Sequence, residues 1–195
     1  MLERIGGIGV DKTMDLNEYL DGVLVTREEI QKKVKELAAQ ITEDYRGKKL
    51  ILIGVLKGGF VFMSDLVREI KIPVEMDFIA VSSYGSSTKT CGVVRLLKDI
   101  DVPLNDKHVI IVEDIIDTGL TLTYLKEMFS SRNPLSLKIC SAFDKPSRRL
   151  VDLKAEYQGI VIPDKYVVGY GLDYDGILRN LHDLYILNEK VIENK

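Results

Sequence analysis

The sequence contains few of the residues that several common kinds of site require. Histidine occurs only at His108 and His182, so zinc clusters and Ser-His-Asp triads are poor hypotheses. Cysteine also occurs only twice, and the spacing of Cys91 and Cys140 matches no paired motif, which indicates free thiols in a reducing compartment. We therefore expect any chemistry to depend on carboxylates, lysines, arginines and backbone amides.

Long apolar runs and an excess of one charge are also absent. The N-terminal stretch MLERIGGIGVDK lacks the apolar segment of a secretory signal. No run approaches the ~18 apolar residues that a membrane-spanning helix needs. The net charge is −3 with both signs interspersed, unlike the basic surface of most nucleic-acid-binding proteins. The sequence therefore predicts a cytoplasmic protein that binds neither a membrane nor a nucleic acid.

The residues that are present predict one α/β domain. A chain of 195 residues, 46 % of them hydrophobic, can bury a sizeable core. Thr26 and Glu29 form the pattern of a capping box, which marks the start of a long amphipathic helix. Apolar runs then alternate with helical patterns, which predicts an open, mainly parallel sheet with ligands at the carboxyl ends of its strands. The predicted strands cover residues 49–56, 74–84, 93–100, 107–113 and 137–143.

A segment rich in Ser, Thr and Gly, residues 83–92, separates two of these strands. Its composition predicts an exposed, mobile loop. Cys91 lies near the far end of the segment, so we expect its thiol to be exposed. Cys140 lies in an apolar strand pattern, and we expect it to be inert.

The stretch VIIVEDIIDTGLT carries an unusual group of acids. Glu113 and Asp114 follow the apolar residues of a buried strand, and Asp117 begins a turn that leads into a helix. Free N–H groups at a helix N-terminus bind phosphate, and Gly119 would let the backbone approach it closely. An ordinary helix cap explains Asp117 or Thr118 equally well, but a cap needs one oxygen and leaves the acid pair unexplained. The hydroxyls of a ribose or a divalent cation would explain the pair.

This stretch and four others, in motif order, resemble type I phosphoribosyltransferases, most specifically the hypoxanthine-guanine phosphoribosyltransferases. The acid pair followed by D-T-G-x-T is similar to the family's phosphoribosyl-diphosphate motif. LKGGFVFMSDL resembles its diphosphate loop, SSYGSSTKTCG its flexible loop, and DKPSRR and IPDKYVVGYGLDYDGILRNL its purine-binding segments. The resemblance spans residues 50–187. It implies the type I phosphoribosyltransferase fold, a mainly parallel central sheet flanked by helices with a small hood subdomain.

The resemblance also implies an activity and an organisation. Members of this family transfer the 5-phosphoribosyl group from phosphoribosyl diphosphate to hypoxanthine or guanine in purine salvage. They use Mg²⁺, and they give IMP or GMP plus diphosphate. A single domain over residues 1–195 is expected, with a core of about 27–156 and a hood of about 1–26 and 157–195. Because relatives form dimers or tetramers, we expect a homodimer or a homotetramer.

Individual residues receive roles from the resemblance alone. Asp117 would lie beside the purine and accept its N7 proton. Glu113 and Asp114 would contact the ribose hydroxyls, and together with Asp173 they would be the metal ligands. The implied diphosphate contacts are Lys57, Gly58, Arg149 and Arg179, with a cis peptide at Leu56–Lys57. The implied 5′-phosphate contacts are Asp117, Thr118, Gly119, Leu120 and Thr121. Ser83 and Tyr84 would act from the flexible loop, and the purine would be bound by Lys145, Tyr166 and Val167.

The residues alone leave other interpretations open. Tyr166 would be a core residue, and Lys145, Arg149, Asp173 and Arg179 would be surface charges. In the family the lysine donates to the purine 6-oxo oxygen, and an ammonium has only donors, so adenine's amino group would face it badly. Xanthine is harder to exclude. A nucleotide-sensing RNA-binding regulator on the same fold is the alternative from another class, and it would need a basic surface.

Overall fold

The computed structural model describes residues 16–84 and 93–193. The predicted flexible loop from residue 85 onward, including Cys91, lies outside the described residues, as do the first fifteen residues of the predicted hood. The helices are α1 (Leu16–Tyr19), α2 (Arg27–Asp44), α3 (Gly59–Glu69), α4 (Leu120–Ser130) and α5 (Glu189–Glu193). The strands are β1 (Leu20–Val25), β2 (Leu50–Leu56), β3 (Glu75–Tyr84), β4 (Val93–Lys98), β5 (His108–Ile116), β6 (Ser136–Asp144), β7 (Tyr157–Val161), β8 (Val167–Val168) and β9 (Leu184–Leu187).

Six strands form the central sheet, in the order β4-β3-β2-β5-β6-β7. Four neighbouring pairs are parallel, and only β3 and β4 at one edge are antiparallel. The apolar runs of β2 and β5 are continuous because these strands lie in the middle of the sheet and are covered on both faces. The predicted mainly parallel α/β fold is therefore confirmed.

Alternate residues of each central strand belong to two different hydrophobic clusters. Leu50 and Leu52 pack in one cluster with residues of α2 and α3, whereas Ile51 and Ile53 pack in the other with residues of α4. The helices thus cover opposite faces of the sheet. Cys140 is buried in the first cluster, and burial raises the pKa of its thiol.

The long helix α2 begins where the sequence predicts. Glu29 N donates to Thr26 Oγ1 at 3.3 Å, and Thr26 N donates to the Glu29 carboxylate at 2.9 Å. This reciprocal pair is the predicted capping box. The predicted apolar stripe of the helix is buried and consists of Ile30, Val34, Leu37 and Ile41.

A second, three-stranded sheet combines both ends of the described chain, in the order β1-β9-β8. Its strands come from the segments that the sequence assigned to a hood. The first strand after residue 156 does not belong to this sheet, because β7 pairs in parallel with β6 in the central sheet. The central sheet therefore extends past the predicted boundary at residue 157.

One strand end differs from the prediction. β5 continues to Ile116, so Glu113 and Asp114 lie within the strand rather than at its exit, and Asp117 is the first residue after it. Ser83 and Tyr84 lie where the predicted strand 74–84 and the predicted loop 83–92 overlap, and their backbone pairs with β4 as the end of β3. No helix among the residues that the structure describes is long and apolar enough to cross a membrane.

Candidate active site

Three neighbouring parallel strands deliver the predicted site residues to one edge of the central sheet. Lys57 follows β2, Asp117 follows β5, and Lys145 follows β6. Because the carboxyl ends of parallel strands meet at the same edge, these residues lie close to one another although they are far apart in sequence. Two cavities open at this edge, and Ile115 and Asp117 line both of them.

The first cavity, which we call the acidic cavity, has a volume of about 230 Å³. Glu113 and Asp114 line it, and Glu113 is only 8 % exposed. Burial and the neighbouring Asp114 raise the pKa of Glu113 well above its usual value. Burial likewise raises the pKa of Asp114, against the opposing effect of Arg179. Neither carboxylate forms a salt bridge with any residue in the described part of the chain.

Asp114 packs directly against the turn after β2. A Cβ atom added to Gly58 would lie 1.5 Å from Asp114 Oδ2, so any larger residue would displace the carboxylate. The peptide bond Leu56–Lys57 in the same turn is cis, as the resemblance implies. The Lys57 side chain is exposed at this edge. The sequence L-K-G therefore brings a backbone turn and a cation beside the acid pair.

The turn from Asp117 to Thr121 forms another wall of the acidic cavity. Gly119 has a φ of 86° and precedes the first residue of α4, a conformation that favours glycine. No side chain caps this helix at Gly119, and the nearest contact is a long one of 3.4 Å from Leu120 N to Thr118 Oγ1. The first N–H groups of α4 have no intrahelical acceptors, and the turn that carries them lines the acidic cavity through Thr118, Gly119 and Thr121. Among the described contacts, the Thr118 hydroxyl caps this turn only through that long contact, and the Asp117 carboxylate accepts from Arg148 instead.

The second cavity, which we call the mixed-charge cavity, has a volume of about 320 Å³. Lys145 is only 8 % exposed, and its Nζ donates to the carbonyl of Lys165 at 2.6 Å. Burial lowers the pKa of the Lys145 ammonium, while Asp117 acts in the opposite direction. Tyr166 and Val167 line the same cavity, and Tyr166 is 50 % exposed rather than a core residue.

The segment after β8 brings Asp173 and Arg179 to the same edge. Arg179 Nη2 pairs with Asp173 Oδ1 at 2.6 Å, and its Nη1 donates to the carbonyl of Gly171 at 2.7 Å. Asp173 Oδ2 accepts from Gly176 N at 2.7 Å. Asp173 is therefore held in a turn by an arginine, and it lines the mixed-charge cavity rather than the acidic one.

The three predicted metal ligands do not form one group in the described part of the chain. Within residues 16–84 and 93–193, no group of three or more His, Cys, Asp or Glu side chains could hold a metal ion. Glu113 and Asp114 lie together, whereas Asp173 is paired with Arg179. The two buried carboxylates remain suitable for a hard cation, because carboxylate oxygens are the ligands that Mg²⁺ prefers and the pair forms no salt bridge with the described residues. The rest of its coordination shell would have to come from substrate oxygens and water.

Arg149, which the resemblance assigned to the diphosphate, contacts Asp144 and the Asp117 turn. Its guanidinium pairs with the buried carboxylate of Asp144 and donates to the main-chain carbonyl of Asp117, and its side chain is 13 % exposed. It lines neither of the two cavities. Arg149 therefore fixes the backbone of the Asp117 turn from behind.

The sequence analysis missed Arg148 and Asp164, which also line the mixed-charge cavity. Arg148 Nε donates to Asp117 Oδ1 at 3.1 Å and lies 3.8 Å from Asp164 Oδ1. The only signal in the sequence was the doublet of arginines in DKPSRR. The residue type does not show which of the two adjacent arginines lines the cavity. Only the fold shows that one side chain lines it and the other contacts Asp144.

A cavity lined by an acid pair and a helix N-terminus, next to one lined by a buried lysine, at the carboxyl edge of this sheet, is the arrangement that the resemblance to phosphoribosyltransferases implies. A family model described as Phosphoribosyl transferase domain matches residues 24–175. The chain is 49 % identical over 175 residues to the hypoxanthine-guanine phosphoribosyltransferase of Bacillus subtilis, covering 90 % of this chain and 97 % of that relative. The corresponding protein of Streptococcus pneumoniae is 46 % identical over 179 residues, with 92 % and 99 % covered.

Solved structures agree with this assignment. A crystal structure of a hypoxanthine-guanine phosphoribosyltransferase from Bacillus anthracis matches with a TM-score of 0.83 at 52 % identity, covering 87 % of this chain and 99 % of that chain. A hypoxanthine phosphoribosyltransferase from Staphylococcus aureus matches with a TM-score of 0.86 at 44 % identity, with 92 % and 98 % covered. The chain therefore belongs to the phosphoribosyltransferase family, in the branch of the hypoxanthine-guanine phosphoribosyltransferases.

Proposed function

We propose that this protein transfers the 5-phosphoribosyl group of phosphoribosyl diphosphate to hypoxanthine or guanine, giving IMP or GMP and diphosphate. The observation that carries the proposal is the pair of adjacent cavities that share Asp117. A reaction that joins a sugar phosphate to a base needs two such subsites with the reacting atoms at their boundary. The acidic cavity suits the sugar phosphate, and the mixed-charge cavity suits the base.

In the acidic cavity, the ribose hydroxyls would donate to Glu113 and Asp114. Hydroxyl donors would relieve the burial of two adjacent carboxylates, which is the feature that raises their pKa values. The 5′-phosphate would accept from the N–H groups between Thr118 and Thr121, at the N-terminus of α4. Leu120 contributes its backbone there, so the absence of a lysine at this position should matter little.

In the mixed-charge cavity, Lys145 would donate to the 6-oxo oxygen of the purine. Its burial supports this role, because a buried ammonium is costly unless its donors are used, and one of them already binds the Lys165 carbonyl. Tyr166 would stack on the base with its half-exposed ring, and the backbone of Val167 would contact the ring edge. Asp117, at the boundary of the cavities, would accept the N7 proton as the base attacks.

Family members use a divalent metal ion with phosphoribosyl diphosphate, and we propose Mg²⁺ for this chain. Glu113 and Asp114 would hold it together with oxygens of the substrate. The ion would supply positive charge to the departing diphosphate. Lys57, Gly58 and Arg179 would contact the same leaving group from the turn after β2 and the C-terminal segment.

Several further expectations stay predictions. The small sheet would act as the hood over the base, and Ser83 and Tyr84, whose side chains are not described, would contact the substrate from the flexible loop. A cytoplasmic location and a homodimer or homotetramer likewise rest on the sequence. In one solved relative, the Trypanosoma cruzi hypoxanthine phosphoribosyl transferase, the C-terminal region has a role in the oligomeric state and the enzymatic activity.

A panel of bases tests the proposal. The purified protein would be incubated with phosphoribosyl diphosphate, Mg²⁺ and one of hypoxanthine, guanine, xanthine or adenine, and nucleotide formation would be followed. We expect rapid formation of IMP and GMP and almost no AMP. Comparable turnover of adenine would contradict the role of Lys145, and a strong preference for xanthine would reassign the substrate within the same reaction.

A further inference from the structure

Arg148 occupies a position on the base side of the site that the proposed reaction does not yet explain. It ends a short 3₁₀ turn, Pro146–Arg148, and its backbone N–H donates to the carbonyl of Lys145 at 3.1 Å. This turn directs its guanidinium along the wall of the mixed-charge cavity. There Nε donates to Asp117 Oδ1 at 3.1 Å, while Asp164 Oδ1 lies 3.8 Å away on the other side.

We propose that Arg148 is a positioning residue for the proton transfer. It holds Oδ1 of Asp117, so that Oδ2, which has no hydrogen-bond partner among the described residues, faces the base. Asp164 holds Arg148 in turn from the opposite side. This inference rests on the proposed role of Asp117 as the proton acceptor.

The neighbouring arginine makes the argument specific. Arg149 donates to the main-chain carbonyl of Asp117 and is anchored by Asp144, so the backbone of the turn is already fixed. What remains free is the rotation of the Asp117 side chain, and the Nε contact of Arg148 restricts that rotation. One arginine of the doublet thus fixes the main chain of the proton acceptor, and the other fixes its carboxylate.

Stability alone does not account for this ion pair. The side chains of Arg148 and Asp117 are 49 % and 43 % exposed, and ion pairs at such exposure contribute little to folding. Their effect on a reaction can be larger, because a misdirected proton acceptor slows the chemical step without altering how the substrate binds. The expected signature of Arg148 is therefore a change in kcat that depends on Asp117.

A double-mutant cycle tests this dependence. The full-length variants Arg148→Ala, Asp117→Asn and the double variant would be compared with the wild type, with kcat and both KM values measured with hypoxanthine and phosphoribosyl diphosphate. We expect Arg148→Ala to lower kcat roughly three- to tenfold in the wild type, and less than about twofold when Asp117 is already Asn. Arg148→Lys should recover only part of the loss, because an ammonium restores the charge without the planar fork.

The matched control is the removal of a second exposed, ion-paired arginine, which lies near the amino end of the sheet. Arg46 pairs with Glu43 at 2.9 Å in an exposed position just after α2, and Arg46→Ala should leave kcat unchanged. Equal losses from Arg148→Ala in both backgrounds, or a rise in the purine KM with kcat unchanged, would overturn the inference. If Asp117→Asn itself keeps full kcat, the role of Asp117 is wrong, and the role of Arg148 falls with it.

Discussion

The two ends of the central sheet differ in how their acidic side chains are paired. At the carboxyl end, the adjacent acids Glu113 and Asp114 form no salt bridge in the described part of the chain, and the pKa of each is raised. At the amino end, Asp44 accepts from the Tyr157 hydroxyl at 2.6 Å and lies 3.6 Å from Lys138 Nζ. The acids at the carboxyl end of the sheet thus lack a salt bridge among the described residues, whereas the acid at the amino end lies close to a cation.

Aromatic rings complete the cluster at the amino end. Lys138 Nζ lies 5.4 Å from the ring centroid of Tyr45 and 5.2 Å from that of Tyr157. Tyr45 also packs edge-on against His108, with ring centroids 5.4 Å apart. At the amino end, an ammonium, a carboxylate, a hydroxyl and aromatic rings attract one another and stabilise the fold. At the carboxyl end, two buried like charges repel each other and oppose folding. Changes at the carboxyl end should therefore affect activity more than stability, and changes at the amino end should do the reverse.

Removal of divalent metal should have the largest effect. With excess chelator, we expect turnover of hypoxanthine to disappear and to return when Mg²⁺ is added, because the acid pair then lacks the cation that shields it from the substrate's phosphates. The melting temperature of the unliganded protein should stay the same, since the rest of the ion's coordination shell at Glu113 and Asp114 would come from the substrate and water. Full turnover in excess chelator would contradict the assignment of a metal to Glu113 and Asp114.

Asp117→Asn should have the next largest effect. The variant keeps the shape of the turn but loses the proton acceptor, and kcat should fall by ~10²–10⁴. The affinity for phosphoribosyl diphosphate, measured by calorimetry, should change much less because the N–H groups at the N-terminus of α4 remain. If the variant keeps its kcat and loses that affinity, Asp117 belongs to the phosphate turn and is not the base.

Lys145→Ala should alter the choice of base. A site that donates to an oxo group can reject analogues lacking it by ~10⁴, and we expect the preference for hypoxanthine over adenine to fall by at least tenfold in this variant. Lys165→Ala is the matched control, because it removes an exposed ammonium of the same wall but keeps the carbonyl that Lys145 binds. Ratios of kcat/KM for the two bases provide the measurement, and an unchanged ratio in Lys145→Ala would remove this residue from base recognition.

The contrast between the two ends also explains what could be predicted from the sequence. The apolar runs of β2 and β5 and the capping box at Thr26 are local patterns, so they predicted the sheet and the start of α2 correctly. The end of β5 could not be predicted, because Glu113 and Asp114 resemble the polar exit of a strand although they are part of it. Burial of such acids is a property of the tertiary structure, and it contradicts the local preference.

The candidate site was predicted mostly by resemblance, and its residue roles stay predictions, but the structure adds contacts that the residue types did not indicate. Arg149 was expected at the diphosphate, but the buried carboxylate of Asp144 binds its guanidinium. Asp173 was expected among the metal ligands, but it pairs with Arg179. The cluster at the amino end gave no signal at all, since Asp44 and Tyr157 are 113 residues apart in sequence. Pairings of this kind depend on the fold and cannot be inferred from residue types.

Tyr157→Phe should have the smallest effect and should change stability alone. It removes the hydroxyl that donates to Asp44, and that hydrogen bond is the main cause that lowers the pKa of Asp44 below its ordinary value of 3.8. Because the pKa of Asp44 is lower in the folded protein than in the unfolded chain, the contact stabilises the fold above about pH 4. This contribution is lost as the pH falls through the pKa that Asp44 has in the folded protein. Because Asp44 is half-exposed, we expect the free energy of unfolding near neutral pH to fall by only ~0.5–1 kcal/mol.

Urea unfolding at neutral pH and at progressively lower pH would measure the deficit of Tyr157→Phe, which should shrink as Asp44 becomes protonated. Tyr45→Phe is the matched control, because it removes the neighbouring hydroxyl of the same cluster but keeps the contact between Tyr157 and Asp44, and any change in its stability should not depend on the protonation of Asp44. Both variants should keep the kcat of the wild type. A large loss of kcat in Tyr157→Phe, or a deficit that stays constant as the pH falls, would show that the two ends of the sheet are not separated in the way their charges indicate.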